Sequence, residues 1–128
     1  GESVVVDEAI SIDNTTAQYK AVRLRARNAD DARKWGDAFL TGETNGVAVI
    51  SADLPEDKPT LFAFVTDEMI GRGIRADTVV REIASLVGGR GGGRPHMAQA
   101  GVEDPTRIDE ALRVGREVVE KLVREAGG

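Results

Sequence analysis

The chain has 128 residues, 41% hydrophobic and 30% charged, with no cysteine and a formal net charge of −5. This balance excludes a disordered chain, no apolar run reaches the roughly 18 residues of a spanning helix, and the missing thiols exclude a disulfide framework or thiolate chemistry. An acidic chain cannot hold nucleic acid by a uniform positive field, so any such site must be local.

A domain of this size buries roughly two-thirds of the surface its unfolded chain exposes, and residues 1–128 read as one domain. Gly1 before a Glu-Ser pair reads as a boundary inside a longer protein, and the lack of a leader pattern sets a cytoplasmic expectation with no membrane contact.

Residues 3–12 (SVVVDEAISI) and 19–27 (YKAVRLRAR) read as strands. In the second, Val22, Leu24 and Ala26 alternate with Arg23, Arg25 and Arg27, which implies one buried face and one solvated basic face. Residues 28–42 read as a helix capped by Asn28, with Asp30 and Asp31 in its first turn, Ala32, Trp35 and Phe39 on its core face, and Gly42 at its end. Two more strands follow, 46–52 and 60–66, the second apolar on both faces as in the middle of a sheet.

From Asp77 to Val87, the spacing of Val79, Val80, Ile83, Leu86 and Val87 predicts a helix closed by Gly88. Five glycines then fall within 88–93, flanked by Arg90 and Arg94. HMAQAG (96–101) reads as a short strand, and Asp104-Pro105 opens a last helix whose apolar stripe is Ile108, Ala111, Leu112, Val119, Leu122 and Val123. The expectation is an α/β domain with a mixed sheet of about four to five strands flanked by about three helices.

The glycine run is not a Walker loop, which needs Lys followed by Ser or Thr and a strand-to-helix order. GRGIRA (71–76) fits G-x-G-x-x-A but has no acidic residue about 20 positions on to hold a ribose. His96, the sole histidine, has no carboxylate cluster in its local sequence, so no catalytic residue, metal site or cofactor is expected. Arg72, Arg75, Arg81, Arg90 and Arg94 outnumber Asp77 and Glu82, making a positive segment in an acidic chain. Two readings stay open. The glycines either expose amides to an anion beside planar guanidinium groups, or permit close packing while the arginines face water.

GGRGGGRPHMAQAG resembles the signature of the carboxy-terminal domain of alanyl-tRNA synthetase, in the DHH-associated domain family, and the similarity covers roughly residues 46–114. His96 stands where that pattern is usually acidic, Val102 where a second glycine is usual, and Asp77 where glycine is common. The resemblance implies a non-catalytic appendage that grips the tRNA elbow while catalytic and editing domains of the same polypeptide act on the acceptor end. It also permits a homodimer. On the family motif it places Arg90, Gly91, Gly92, Gly93, Arg94, Met97 and Gln99 against tRNA, and Arg75 is expected to contact RNA with them. The alternatives are the substrate-binding domain of a DHH-type phosphoesterase, whose pattern lacks the inserted Arg94-Pro95, and an assembly module built on the last helix.

Overall fold

The run that is apolar on successive residues, Thr60–Val65, lies inside a six-stranded mixed sheet in the computed structural model, which describes residues 2–12, 14–55 and 57–127. In chain order the elements are β1 (Glu2–Ile12), β2 (Thr15–Arg25), α1 (Ala29–Gly42), β3 (Gly46–Asp53), β4 (Thr60–Val65), α2 (Asp67–Gly71), α3 (Ala76–Ala84), β5 (Gly91–Gly93), β6 (Met97–Gly101) and α4 (Ile108–Gly127). The strand order is β1-β2-β3-β4-β6-β5. Only β2 and β3, joined through α1, pair in parallel; the other four neighbouring pairs are antiparallel.

Strand alternation sends two residue sets to opposite faces. Ala17, Tyr19, Ala21, Val47, Val49, Leu61, Ala63, Ala98 and Ala100 pack with Val79, Ile83, Leu112 and Val119 of α3 and α4. Val22, Ala48, Ile50, Phe62 and Phe64 pack with Ala32 of α1 on the other side. Two glycines let the helices lie close to the sheet: a Cβ on Gly36 would overlap the Phe64 ring, and one on Gly115 would overlap the Tyr19 hydroxyl.

The expected α/β class holds, with six strands and four α-helices among the described residues in place of about four to five and about three. The added strand is Gly91–Gly93, which has no side-chain alternation to reveal it, and the added helix, Asp67–Gly71, is a single five-residue turn. The second predicted helix ends earlier, at Ala84, and a 3-10 turn over Ser85–Val87 completes it.

Two expectations for the first half are corrected. β2 is an interior strand, so both its faces are buried from Tyr19 through Val22 apart from Lys20; of the expected solvated row, Arg25 and Arg27 are exposed, but Arg23 is only half-exposed, reaching Asp53 at 3.7 Å and Asp109 at 3.5 Å. Trp35 is not in the core. It is half-buried at the surface, stacked on Phe39 and beneath the Lys20 ammonium, because Ala32 and Gly36 form the face of α1 that is fully inside.

Candidate functional site

Gly88, at φ 68°, closes the 3-10 turn in the left-handed conformation, and the Gly89 amide donates to the Ala84 carbonyl at 2.9 Å. β5 then runs antiparallel to β6, with Gly91 opposite Ala100, Gly92 opposite Gln99 and Gly93 opposite Ala98. Hydrogen bonds carry the ladder further: the Gly101 amide donates to the Arg90 carbonyl at 3.2 Å, and the Arg94 amide to the Met97 carbonyl at 2.9 Å. Alternation along this ladder puts Arg90, Gly92 and Arg94 on the same face as Met97, Gln99 and Gly101. Register with Phe62 and Phe64 shows that this is the α1 side of the sheet.

The glycines divide by parity. A Cβ on Gly89 would overlap the Gly101 carbonyl, one on Gly91 would overlap the Gln99 carbonyl and Ala100, and one on Gly93 would crowd Ala98 and the Met97 carbonyl. These three permit close approach of backbone to backbone. A Cβ on Gly92 would meet nothing within 4 Å. Close packing therefore accounts for the glycines at 89, 91 and 93, whereas Gly92 leaves open space on its face of the ladder.

Arg90 and Arg94 are exposed, and among the described residues no carboxylate pairs with either guanidinium. Arg75 differs. Its Nε donates to Asp77 Oδ1 at 3.0 Å, and Arg81 approaches the same carboxylate at 3.7 Å. Burial would raise the Asp77 carboxyl, but the hydrogen bond and charge of Arg75, the Thr78 amide and the charge of Arg81 outweigh it and hold the group below the usual carboxylate range. Asp77, where glycine is common in the resembling pattern, thus ties the start of α3 to two arginines.

The corner after β5 is held from two sides. The Ala76 amide donates to the Pro95 carbonyl at 2.8 Å, and the Val65 amide donates to the His96 carbonyl at 3.0 Å. The His96 ring sits 2.7 Å from an Asp67 oxygen. Met97 is half-buried against the Phe62 and Phe64 cluster, whereas Gln99 is exposed. Val102, the other departure from the motif, is buried in the α3–α4 core. Arg33 of α1 joins the site unannounced by the sequence, donating to Gln99 Oε1 at 3.4 Å across 66 residues of chain. In sequence it shows only as the partner of Asp30 three positions earlier.

The assembled site is a shallow donor-rich face and not a cavity. An open hollow of about 420 Å³ lined by Glu2, Ser3, Arg23, Arg25 and Asp53 lies at the other end of the sheet, where two carboxylates offset its arginines. Among the described residues, no three His, Cys, Asp or Glu side chains are grouped to hold a metal ion.

The sequence pattern of the DHHA1 domain matches residues 14–121. The chain belongs to the DHHA1 domain family. This DHHA1 domain is 38% identical over 116 residues to alanine–tRNA ligase 1 of Lachnoclostridium phytofermentans, covering 87% of the chain and 13% of the relative. It is 34% identical over 102 residues to the alanine–tRNA ligase of Clostridioides difficile, covering 80% of the chain and 12% of the relative. The DHHA1 domain therefore spans about an eighth of these relatives' lengths. Its fold matches the C-Ala domain of Aquifex aeolicus alanyl-tRNA synthetase with a TM-score of 0.69 and 24% identity, covering 88% of this chain and 98% of that one. A DHH-domain protein described as a member of the s1p family of ribosomal proteins shares the fold at a TM-score of 0.52 and 12% identity, over 91% of this chain and 28% of its own.

Proposed function

We propose that this DHHA1 domain is the carboxy-terminal, non-catalytic part of an alanine–tRNA ligase and that its β5–β6 face binds tRNA at the elbow. One observation carries the reading: Arg90 and Arg94 flank an open Gly92 on a solvent-exposed face, with no internal carboxylate claiming either guanidinium among the described residues. Guanidinium forks bind phosphate oxygens in two-point fashion, and the bare backbone between them lets a nucleic-acid surface lie flat. Structured RNA is recognised mostly through its shape and its unpaired elements, which suits a shallow face better than a cleft.

Arg90, Gly92, Arg94, Met97 and Gln99 are the contact residues on this reading, while Gly91 and Gly93 support them from within the ladder. Arg75, engaged by Asp77, lies at the margin. The domain acts by raising the effective concentration of one tRNA at the catalytic and editing domains of the same polypeptide. Its place of action is the cytoplasm, where charging occurs; among the described residues, no helix is long and apolar enough to cross a membrane. The apolar stripe of α4 that suggested an assembly module is buried against the sheet, save for a partly buried Leu122.

The test is a titration with an alanine tRNA transcript and with a transcript lacking both elbow loops. Tighter binding of the intact RNA is expected, weakened about tenfold or more by Arg90→Ala with Arg94→Ala in a protein that still folds. Equal affinity for the two RNAs would remove the elbow assignment, and an unaffected double variant would remove the arginine face.

A further inference from the structure

Arg33 and Gln99 meet across the gap between α1 and β6, and nothing in the glycine motif announces this contact. The Arg33 guanidinium has only donors. Of its two arms, Nη1 donates to Asp30 Oδ1 at 3.2 Å and Nη2 to Gln99 Oε1 at 3.4 Å. A glutamine amide carries its oxygen and its NH₂ group on the same planar carbon. With the oxygen on Arg33, the NH₂ group of the exposed Gln99 has no partner among the described residues and is left to solvent.

We infer that Arg33 is a positioning residue for the RNA face: it fixes the Gln99 side-chain amide with its NH₂ group outward, making Gln99 a dedicated hydrogen-bond donor. This rests on the tRNA-binding reading of the β5–β6 face and adds to it a chemical specificity. The face then presents guanidinium groups at Arg90 and Arg94, with a fixed amide donor at Gln99 opposite the open Gly92. Such an all-donor surface matches acceptor oxygens, either non-bridging phosphate oxygens or the carbonyl oxygens of unpaired bases. Without Arg33 the amide is free to turn over and offer its oxygen, which repels those same acceptors.

Asp30 completes the device. It holds the second arm of Arg33 from one helical turn earlier, so the guanidinium is braced from α1 while it braces Gln99. Arg33 is 43% exposed on its side chain, so its own charge also reaches solvent, and the experiment must separate positioning from direct phosphate contact.

Two measurements do so. In the free protein, the Gln99 side-chain NH₂ resonances are expected to show restricted motion by nuclear magnetic resonance relaxation, and to become mobile in Arg33→Ala. Rigid or mobile resonances in both proteins would overturn the positioning role. In tRNA titrations, Arg33→Ala is expected to weaken binding about three- to tenfold while leaving the slope of log affinity against log salt unchanged, whereas losing a phosphate contact lowers that slope by about 0.7–0.9. A reduced slope would show that Arg33 contacts phosphate directly and would overturn the proposal. Gln99→Glu keeps the Arg33 contact but removes the outward donors, and is expected to weaken binding more than Gln99→Ala does. Loss of binding in Arg90→Ala with Arg94→Ala, but none in Arg33→Ala or Gln99→Glu, sinks this inference and leaves the tRNA-binding reading standing. No binding of tRNA by the unaltered protein sinks both.

Discussion

The Tyr19 hydroxyl donates to the Leu112 carbonyl at 2.7 Å, linking β2 to the N-terminal part of α4 inside the larger core. The contact joins residues 93 positions apart and is fully enclosed. Removing the hydroxyl with Tyr19→Phe is expected to cost about 1 kcal/mol, read as a lower urea midpoint at pH 7. Burial also pushes the Tyr19 phenol far above the ordinary tyrosine range. In the unfolded chain it titrates near 10, so above that pH the unfolded state sheds a proton that the folded state keeps. Stability should therefore fall as pH rises past about 10. Tyr19 is the sole tyrosine, and Tyr19→Phe should make that decline shallower.

Gly115 faces the same hydroxyl, which a Cβ there would overlap. Alanine is the better helix former by about 1 kcal/mol, yet overpacking costs about 1–3 kcal/mol, so Gly115→Ala should destabilise. Combined with Tyr19→Phe, part of the loss should return. A double-mutant cycle by urea denaturation that shows plain additivity would mean that the two residues do not collide.

The parity of the glycine run separates folding from binding. Gly91→Ala places a methyl group against the Gln99 carbonyl and should cost about 1–3 kcal/mol in thermal melts. Gly92→Ala meets open space and should stay within about 0.5 kcal/mol of the parent. On the proposed tRNA-binding reading, the same Gly92 change should weaken tRNA binding by intruding on the flat face. A Gly92 variant that melts early, or a Gly91 variant that does not, would contradict this division.

Asp77 should leave a mark on the acid limb of stability. Its carboxyl is held below the usual range chiefly through Arg75, against the opposing effect of burial. A depressed folded-state value stabilises fully above the unfolded value near 3.9, and this contribution disappears as pH falls through the folded value. Asp77→Asn should thus cost about 1–2 kcal/mol at pH 7 and progressively less below pH 4, measured as urea midpoints across pH.

Elements with side-chain periodicity were legible in the sequence: α1 with its Asn28 cap, the doubly apolar β4 and the buried stripe of α4 all stand where their spacing placed them. β5 was not, because a strand made of three glycines carries no alternation, and its register comes entirely from β6. The basic row on β2 was legible only in part, for a related reason: Arg25 and Arg27 are exposed, but the same face is covered further back along the strand. Alternation of arginine and apolar residues looks like a half-exposed strand, but Tyr19 and Ala21 on the arginine side are covered by α4, a tertiary contact that local pattern does not encode. The glycine motif marked a candidate site but could not assign its parts. Which glycines pack and which one stays open depends on the Gly101, Gln99 and Met97 carbonyls, and the bond from Arg33 spans 66 residues.

The stretches of chain at the two edges of the sheet differ in the charges they carry. β1, at one edge, has Glu2, Asp7 and Glu8 and no lysine or arginine, whereas β5 at the far edge lies between Arg90 and Arg94. A polyanion arriving from solution feels a torque before it makes contact, turning the β5 edge toward it and the β1 edge away. On the tRNA-binding reading, the surplus of acid over base, which alone would argue against such a partner, would serve to orient it.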